Sequence, residues 1–135
     1  MGDLLIAVNW WAVIVAAVVY FLLGAVWYSV LFAKKWMELR ELKEEDIGDP
    51  NPIIFLWSFV LQFVATLSLA LFILAMGVYT GIEGAIVGFG AGAGIVFTLA
   101  GTTGLFSDAK LGLHFIDNGY HVVGLTIAGA ILGWW

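Results

Sequence analysis

Residues 4–33 read LLIAVNWWAVIVAAVVYFLLGAVWYSVLFA, a run without a single charged side chain. A helix crossing a bilayer needs about 20 mostly apolar residues, so this run is long enough to span, and Asn9 and Ser29 fall near its two ends. Three further mostly apolar runs follow, at about 53–78, 84–106 and 114–135, the last carrying Asp117. The expectation is one transmembrane domain over residues 1–135: an all-α, integral membrane four-helix bundle. The first run does not read as a signal peptide, because it lacks a basic leader, is too long, and is not followed by a small-residue cleavage site.

Composition points the same way. The 135 residues are 63% hydrophobic and 11% charged, whereas soluble domains run at about 45–50% apolar and about 25% charged. That excludes an ordinary soluble enzyme and a disordered chain. A net charge of −5 with five Lys and Arg excludes a basic nucleic-acid binder. With no cysteine, disulfides, thiolate metal sites and Cys nucleophiles are excluded.

Local signals set the helix ends. Asn51-Pro52 reads as an N-cap and first helical position. Thr80-Gly-Ile-Glu83 reads as a capping box. Gly77 and Gly81 mark a short turn that makes the second and third spans antiparallel neighbours. Lys34, Lys35, Arg40 and Lys43 lie between the first two spans and Lys110 between the last two, so all five cations fall on one side. The positive-inside rule makes that side cytoplasmic and puts both termini outside. Trp10, Trp11, Trp134 and Trp135 then sit at the outer interface, and Trp27, Tyr28, Trp36 and Trp57 toward the inner one. Trp11 and Trp27 are separated by roughly 24 Å at about 1.5 Å per residue, close to the spacing of the two interfacial belts.

Residues 34–49 form the one strongly polar stretch. Lys34–Glu38 and Arg40–Glu44 are i,i+4 pairs of opposite sign, and Trp36, Leu39 and Leu42 share one side. The pattern predicts a short amphipathic connector helix at the inner interface. Glu44, Glu45, Asp46 and Asp49 form an acidic patch, which reads as a cation-attracting mouth or a docking site, or else as a solvated connector.

In lipid, helices associate through small residues and polar contacts. Gly84, Gly88 and Gly92 make one close-packing row on the third span; Gly90, Gly94, Thr98 and Thr102 make another; Gly129 and Gly133 offer a similar face on the fourth. These rows predict that the third span is the packing hub. Ile86, Phe89, Val96 and Phe97 are expected to face lipid. A small-residue face left free after folding would be a homo-oligomer interface. A glycine row also suits a pore lining.

Polar residues at membrane depth mark a candidate pathway. Ser58, Gln62 and Thr66 form a stripe on the second span. The hydroxyls can bond to their own helix, but Gln62 needs a partner on another span. His114, Asp117, Asn118 and His121 share one face of the fourth span. His121 lies roughly 16 Å along the helix from Lys110, at about 1.5 Å per residue, and an ionisable group at that depth is a functional candidate. His114, Asp117 and His121 are candidate metal ligands. Asp117 and His121 also suit proton or ion movement. The structural alternative is that His121 bonds to a neighbouring helix while Asp117 caps or pairs.

Asn9-Trp10, Gly24-Ala-Val-Trp27-Tyr28-Ser29, Lys35-Trp36-Met37, Ile82-Glu83-Gly84, Asn118-Gly119-Tyr120-His121 and Gly129-Ala-Ile-Leu-Gly133-Trp134 occur in that order along nearly the whole chain. In these motifs the sequence resembles the bacterial membrane protein family known as domain of unknown function 1761. The resemblance implies four transmembrane helices and a bacterial inner-membrane setting, and it implies no activity. The family pattern carries Pro where this chain has Val30 and Asn-Ala where it has Asp117-Asn118, and His114 lies outside it. Trp27, Tyr28, Asn118, Tyr120 and His121 are the candidates it favours.

No nucleophilic triad, zinc-protease motif, dinucleotide fingerprint or phosphate loop is present. Gly88-x-Gly90-x-Gly92-x-Gly94 lies inside an apolar span with no strand before it. The expected function is a homo-oligomeric permeation or transport unit for an ion or small polar solute. Tyr28, Gln62, Asp117, Asn118, Tyr120 and His121 are its polar site, and no cofactor is called for. The alternative is an accessory subunit packed against a larger membrane complex. A membrane-embedded enzyme comes third. The partners expected are the lipid bilayer and further copies of the chain, with no nucleic acid.

Overall fold

The computed structural model describes residues 2–48 and 51–135, most of which are helical and none of which forms a strand. Asp49 of the expected acidic patch lies outside the described residues. We label the helices α1 (Gly2–Ala7), α2 (Trp10–Leu31), α3 (Ala33–Arg40), α4 (Pro52–Ala75), α5 (Gly81–Phe106) and α6 (Leu111–Trp134). The four longer ones, α2, α4, α5 and α6, are long and apolar enough to cross a membrane. This is a multi-pass membrane protein by length and composition.

The helix ends follow from side-chain caps. The first span starts at Trp10, not Leu4. Asn9 adopts an extended backbone, and its Oδ1 accepts from the amides of Trp11 and Ala12 at 3.1 and 3.2 Å, which splits α1 from α2. Such a cap satisfies orphan N–H groups that have no partner inside the helix. Asn51 caps α4 in the same way, 2.9 Å from the Ile53 amide, with Pro52 at the first helical position. The turn into α5 passes through Gly77 at φ +66°, where an added Cβ would be strained. Thr80 accepts from the Glu83 amide at 3.2 Å and donates to the Glu83 carboxylate at 2.8 Å.

The α3 helix ends at Arg40, because Glu41 turns left-handed at φ +58°. The expected Arg40–Glu44 pair therefore does not form: the helix that would align it has stopped. Arg40 instead lies 4.7 Å over the Trp36 ring. Lys35, not Lys34, pairs with Glu38 at 3.0 Å.

The spans run antiparallel. Asn9, Tyr79, Trp134 and Trp135 line one crevice, so the start of α2, the end of α6 and the α4–α5 turn share one end of the bundle. At the other, basic end, Lys110 donates to Glu41 at 2.6 Å. This contact holds the Glu41 carboxyl below its usual range, first through the hydrogen bond and then through the nearby positive charge.

The packing hub is α6, which corrects the expectation for α5: α6 touches α2, α3, α4 and α5. The α5 helix rests chiefly on α6. A Cβ added at Gly84 would strike the Gly129 carbonyl, and one at Gly88 the Leu125 carbonyl. One at Gly92 would lie 2.7 Å from Val122 Cα. The second row does not join this contact, since Gly90 and Gly94 face open space. Residues Gly90–Phe97 are wound as a π-helix, which turns Val96 and Phe97 inward while Ile86 and Phe89 remain exposed. Uniform α winding had placed all four on the lipid face.

The core lies in the half of the bundle away from the cations. Val13, Ala16, Ala17 and Thr66 are fully buried there, with Ala12, Leu69, Ile73 and Ala128 around them. Alanines on α2 let the helices approach closely. Toward the basic end α4 stands off, with Ile53, Ile54, Phe55, Leu56 and Trp57 exposed on all sides, and Leu99, Leu105 and Phe106 of α5 are exposed as well.

Candidate functional site

A belt of polar and aromatic side chains crosses the bundle just below that core. The α6 helix supplies Asp117, Tyr120 and His121; α2 supplies Tyr20, Trp27 and Tyr28; α3 supplies Trp36; and α4 supplies Gln62. Successive positions along α6 distribute these contacts. Tyr120 points between α2 and α4, while Asp117 and His121, one turn apart, both face α2.

Asp117 Oδ1 accepts two hydrogen bonds, from the Tyr28 hydroxyl at 3.0 Å and from Trp36 Nε1 at 3.1 Å. The Tyr20 hydroxyl meets His121 Nδ1 at 2.6 Å. Tyr120 donates to the Tyr20 carbonyl at 3.0 Å and accepts from Gln62 Nε2 at 2.8 Å. Trp27 Nε1 donates to the Ile116 carbonyl at 3.0 Å. The Tyr120 ring is the centre of the cluster. It lies 5.4 Å from Tyr20, 5.7 Å from Tyr28 and 4.9 Å from His121 between ring centroids, within the range of favourable aromatic pairs.

Two glycines make room for these rings. A Cβ at Gly124 would fall on the Tyr20 ring, and one at Gly24 would lie 3.1 Å from the Tyr120 hydroxyl. The α2–α6 contact is thus notched for its two tyrosines. At the basic end Leu39 of α3 packs over Gly112 in the same manner.

The free atoms of the belt matter as much as the bonded ones. No described residue engages Asp117 Oδ2 or His121 Nε2. The buried side-chain atom without a partner, among the described residues, is Gln62 Oε1. A buried unpaired acceptor costs about 1–3 kcal/mol.

Of the residues singled out from sequence, Tyr28, Gln62, Asp117, Tyr120 and His121 come together here. Asn118 and His114 do not. Asn118 Nδ2 lies 2.9 Å from His114 Nδ1, and His114 packs on Phe97 at 4.3 Å, on the side facing α5. His114, Asp117 and His121 therefore do not converge as a metal-ligand set: they point to α5, to Tyr28 with Trp36, and to Tyr20. Sharing a helix face fixed their direction only to within a wide arc, and the neighbouring helices divide that arc. Tyr20 and the role of Trp36 were missed. The available signal was a tyrosine hydroxyl placed mid-span, about as deep as His121, where it needs a partner.

The family described as Protein of unknown function (DUF1761) matches residues 11–133. No curated protein and no solved structure matches the chain.

Proposed function

The chain belongs to the DUF1761 family, described as a protein of unknown function, and from that starting point we propose that it is a homo-oligomeric permeation or transport unit for an ion or small polar solute. The observation that carries this reading is the pair Asp117 and His121. Both are ionisable, both lie inside a membrane-spanning helix, and each is pinned through one atom by a partner on another element while its other polar atom stays free. Ionisable groups at that depth are expensive and are kept for function, and a site held rigid by neighbours is one prepared for a ligand.

The buried core supports the oligomer. Between Tyr20 and the far end the inner faces are filled by Val13, Ala16, Leu69, Ile73 and Ala128, so a polar route inside one copy stops at the belt. A continuous route runs between copies. The outward Gly90 and Gly94, with Thr98 and Thr102 exposed below them, suit helix-to-helix contact with another copy. The cations gathered at one end favour that end as the cytoplasmic one; on this reading both termini lie outside and the belt lies in the inner leaflet.

The test is flux through purified protein in liposomes, with oligomer mass measured in mild detergent. Protein-dependent flux that falls on His121→Ala is expected. Leak equal to that of empty vesicles removes the reading. The same outward row supports the second reading, an accessory subunit. It predicts a stoichiometric foreign partner in a mild-detergent pull-down, and a monomer once that partner is stripped away.

A further inference from the structure

Resting on the permeation reading, we infer that the species handled by the belt is the proton, loaded at Asp117 and His121. Charge is the first ground. The spans Trp10–Leu31, Pro52–Ala75, Gly81–Phe106 and Leu111–Trp134 contain no Lys or Arg. Their acidic residues are Glu83, in the first turn of α5, and Asp117. An anion finds no permanent positive charge at membrane depth, and Asp117 stands beside any imidazolium formed at His121, so the belt selects against it.

Coordination is the second ground. A bare metal or alkali cation needs a shell of oxygens to replace its water. The belt oxygens left without a hydrogen bond are Asp117 Oδ2 on α6 and Gln62 Oε1 on α4, the tyrosine hydroxyls and Asp117 Oδ1 being engaged with one another and with their neighbours, while Asn118 is turned away to His114. That is too few for a cation shell. A proton needs only one lone pair at a time.

The arrangement of bonds is the third ground. The Tyr20 contact takes up Nδ1 of His121 and leaves Nε2 as the free ring nitrogen. The Tyr28 and Trp36 bonds take up Oδ1 of Asp117 and leave Oδ2 free. The two free atoms belong to residues one helical turn apart, whose Cβ atoms are about 6 Å from each other. With Nδ1 carrying its hydrogen toward the Tyr20 oxygen, the transfer is balanced. The hydrogen on a protonated Asp117 Oδ2 leaves as H⁺, directly or through one water, and adds to the Nε2 lone pair. Carboxylic acid and imidazole become carboxylate and imidazolium. Among the described residues, the titratable groups facing His121 are Tyr20 from α2 and Asp117 and Tyr120 from its own helix, with Tyr28 of α2 reaching Asp117. The packed parts of α4 and α5 contribute none, and α3 brings Trp36 with Arg40 above it. One carboxylate thus stands near the imidazolium that forms.

The test uses the full chain in phospholipid vesicles loaded with potassium and a pH-sensitive dye. Adding valinomycin sets an inward-negative potential, and proton uptake above that of empty vesicles is expected. His121→Asn and Asp117→Asn should each slow uptake at least ten-fold. Asn at 117 keeps an oxygen for Tyr28 and Trp36, so it retains the fold if His121→Asn does not. Potassium efflux, measured with a protonophore in place of valinomycin, and chloride entry should match empty vesicles. Chloride or potassium moving as fast as protons, or proton uptake untouched by either substitution, overturns the inference and leaves the permeation reading standing. If none of the three ions moves above the empty-vesicle rate the inference falls, and if a small polar solute such as urea does not move either, the permeation reading falls with it.

Discussion

Alanine at Gly88 provides a sharp test of the α5–α6 contact. A Cβ there would sit on the Leu125 carbonyl, within about 3 Å of the Thr126 Cα as well, and ordinary carbon contacts begin near 3.5–4.0 Å. The obstacles are backbone atoms of a helix, so no side chain can swing aside and α5 must move off α6. Forcing an extra carbon into a packed contact costs about 1–3 kcal/mol. Alanine's better helix propensity returns up to about 1 kcal/mol. Because the obstacles are backbone atoms, the cost of the extra carbon falls in the upper part of its range, and the net loss is ~1–2 kcal/mol, or a 5–30-fold change in the folded-to-unfolded ratio. Gly94→Ala is the internal control. Its Cβ meets nothing within 4 Å, so monomeric protein should be unchanged or up to about 1 kcal/mol more stable. Reversible unfolding of monomer in mixed micelles, followed by circular dichroism, reads both variants. Gly88→Ala as stable as the parent, or Gly94→Ala as damaging as Gly88→Ala, refutes the close approach of these two helices.

Gln62→Leu removes one hydrogen bond and also the unpaired Oε1; interhelical bonds in membranes average about 0.6 kcal/mol and the unpaired acceptor costs about 1–3 kcal/mol, so stability in the same assay should rise, by up to about 2 kcal/mol. Trp36→Phe takes one of two donors from Asp117 Oδ1, and a loss of about 0.5–1.5 kcal/mol is expected, vanishing when measured on an Asp117→Leu background. Glu41 should titrate below the ordinary carboxylate range and return toward it in Lys110→Gln, as read by carboxyl carbon NMR; its folded value is depressed, so the contact is present at neutral pH and lost as pH falls through that lowered value.

Fold class was legible because the bilayer imposes a coarse rule. A charge-free run such as residues 4–33 has few alternatives, and caps such as Asn51-Pro52 and Thr80-x-x-Glu83 act locally. The break at Asn9 was harder to see, since a cap inside an apolar run resembles any polar residue near an interface. At the site, Asp117, Tyr120 and His121 were legible as polar groups at depth. Their partners were not. Which of several aromatic residues meets Asp117 depends on the crossing of α2 with α6 and on where α3 folds back, and both are set by notches at Gly24, Gly124 and Gly112 that no local pattern reveals. The metal-ligand grouping failed for the same reason.

The wide winding of α5 explains how its glycines can be spaced as they are. Positions 84, 88 and 92 repeat every four residues, and on an ordinary helix of about 3.6 residues per turn such a row drifts sideways by about 40° at each step. A stretch with more residues per turn drifts the other way. By changing pitch at Gly90, the helix steers its seam back onto α6, so Val96 takes the place that a fourth glycine would otherwise have filled. The upper and lower halves of that rod are consequently indexed separately, and a shift of the wide segment by a few positions would rotate one half without disturbing the grip of the other.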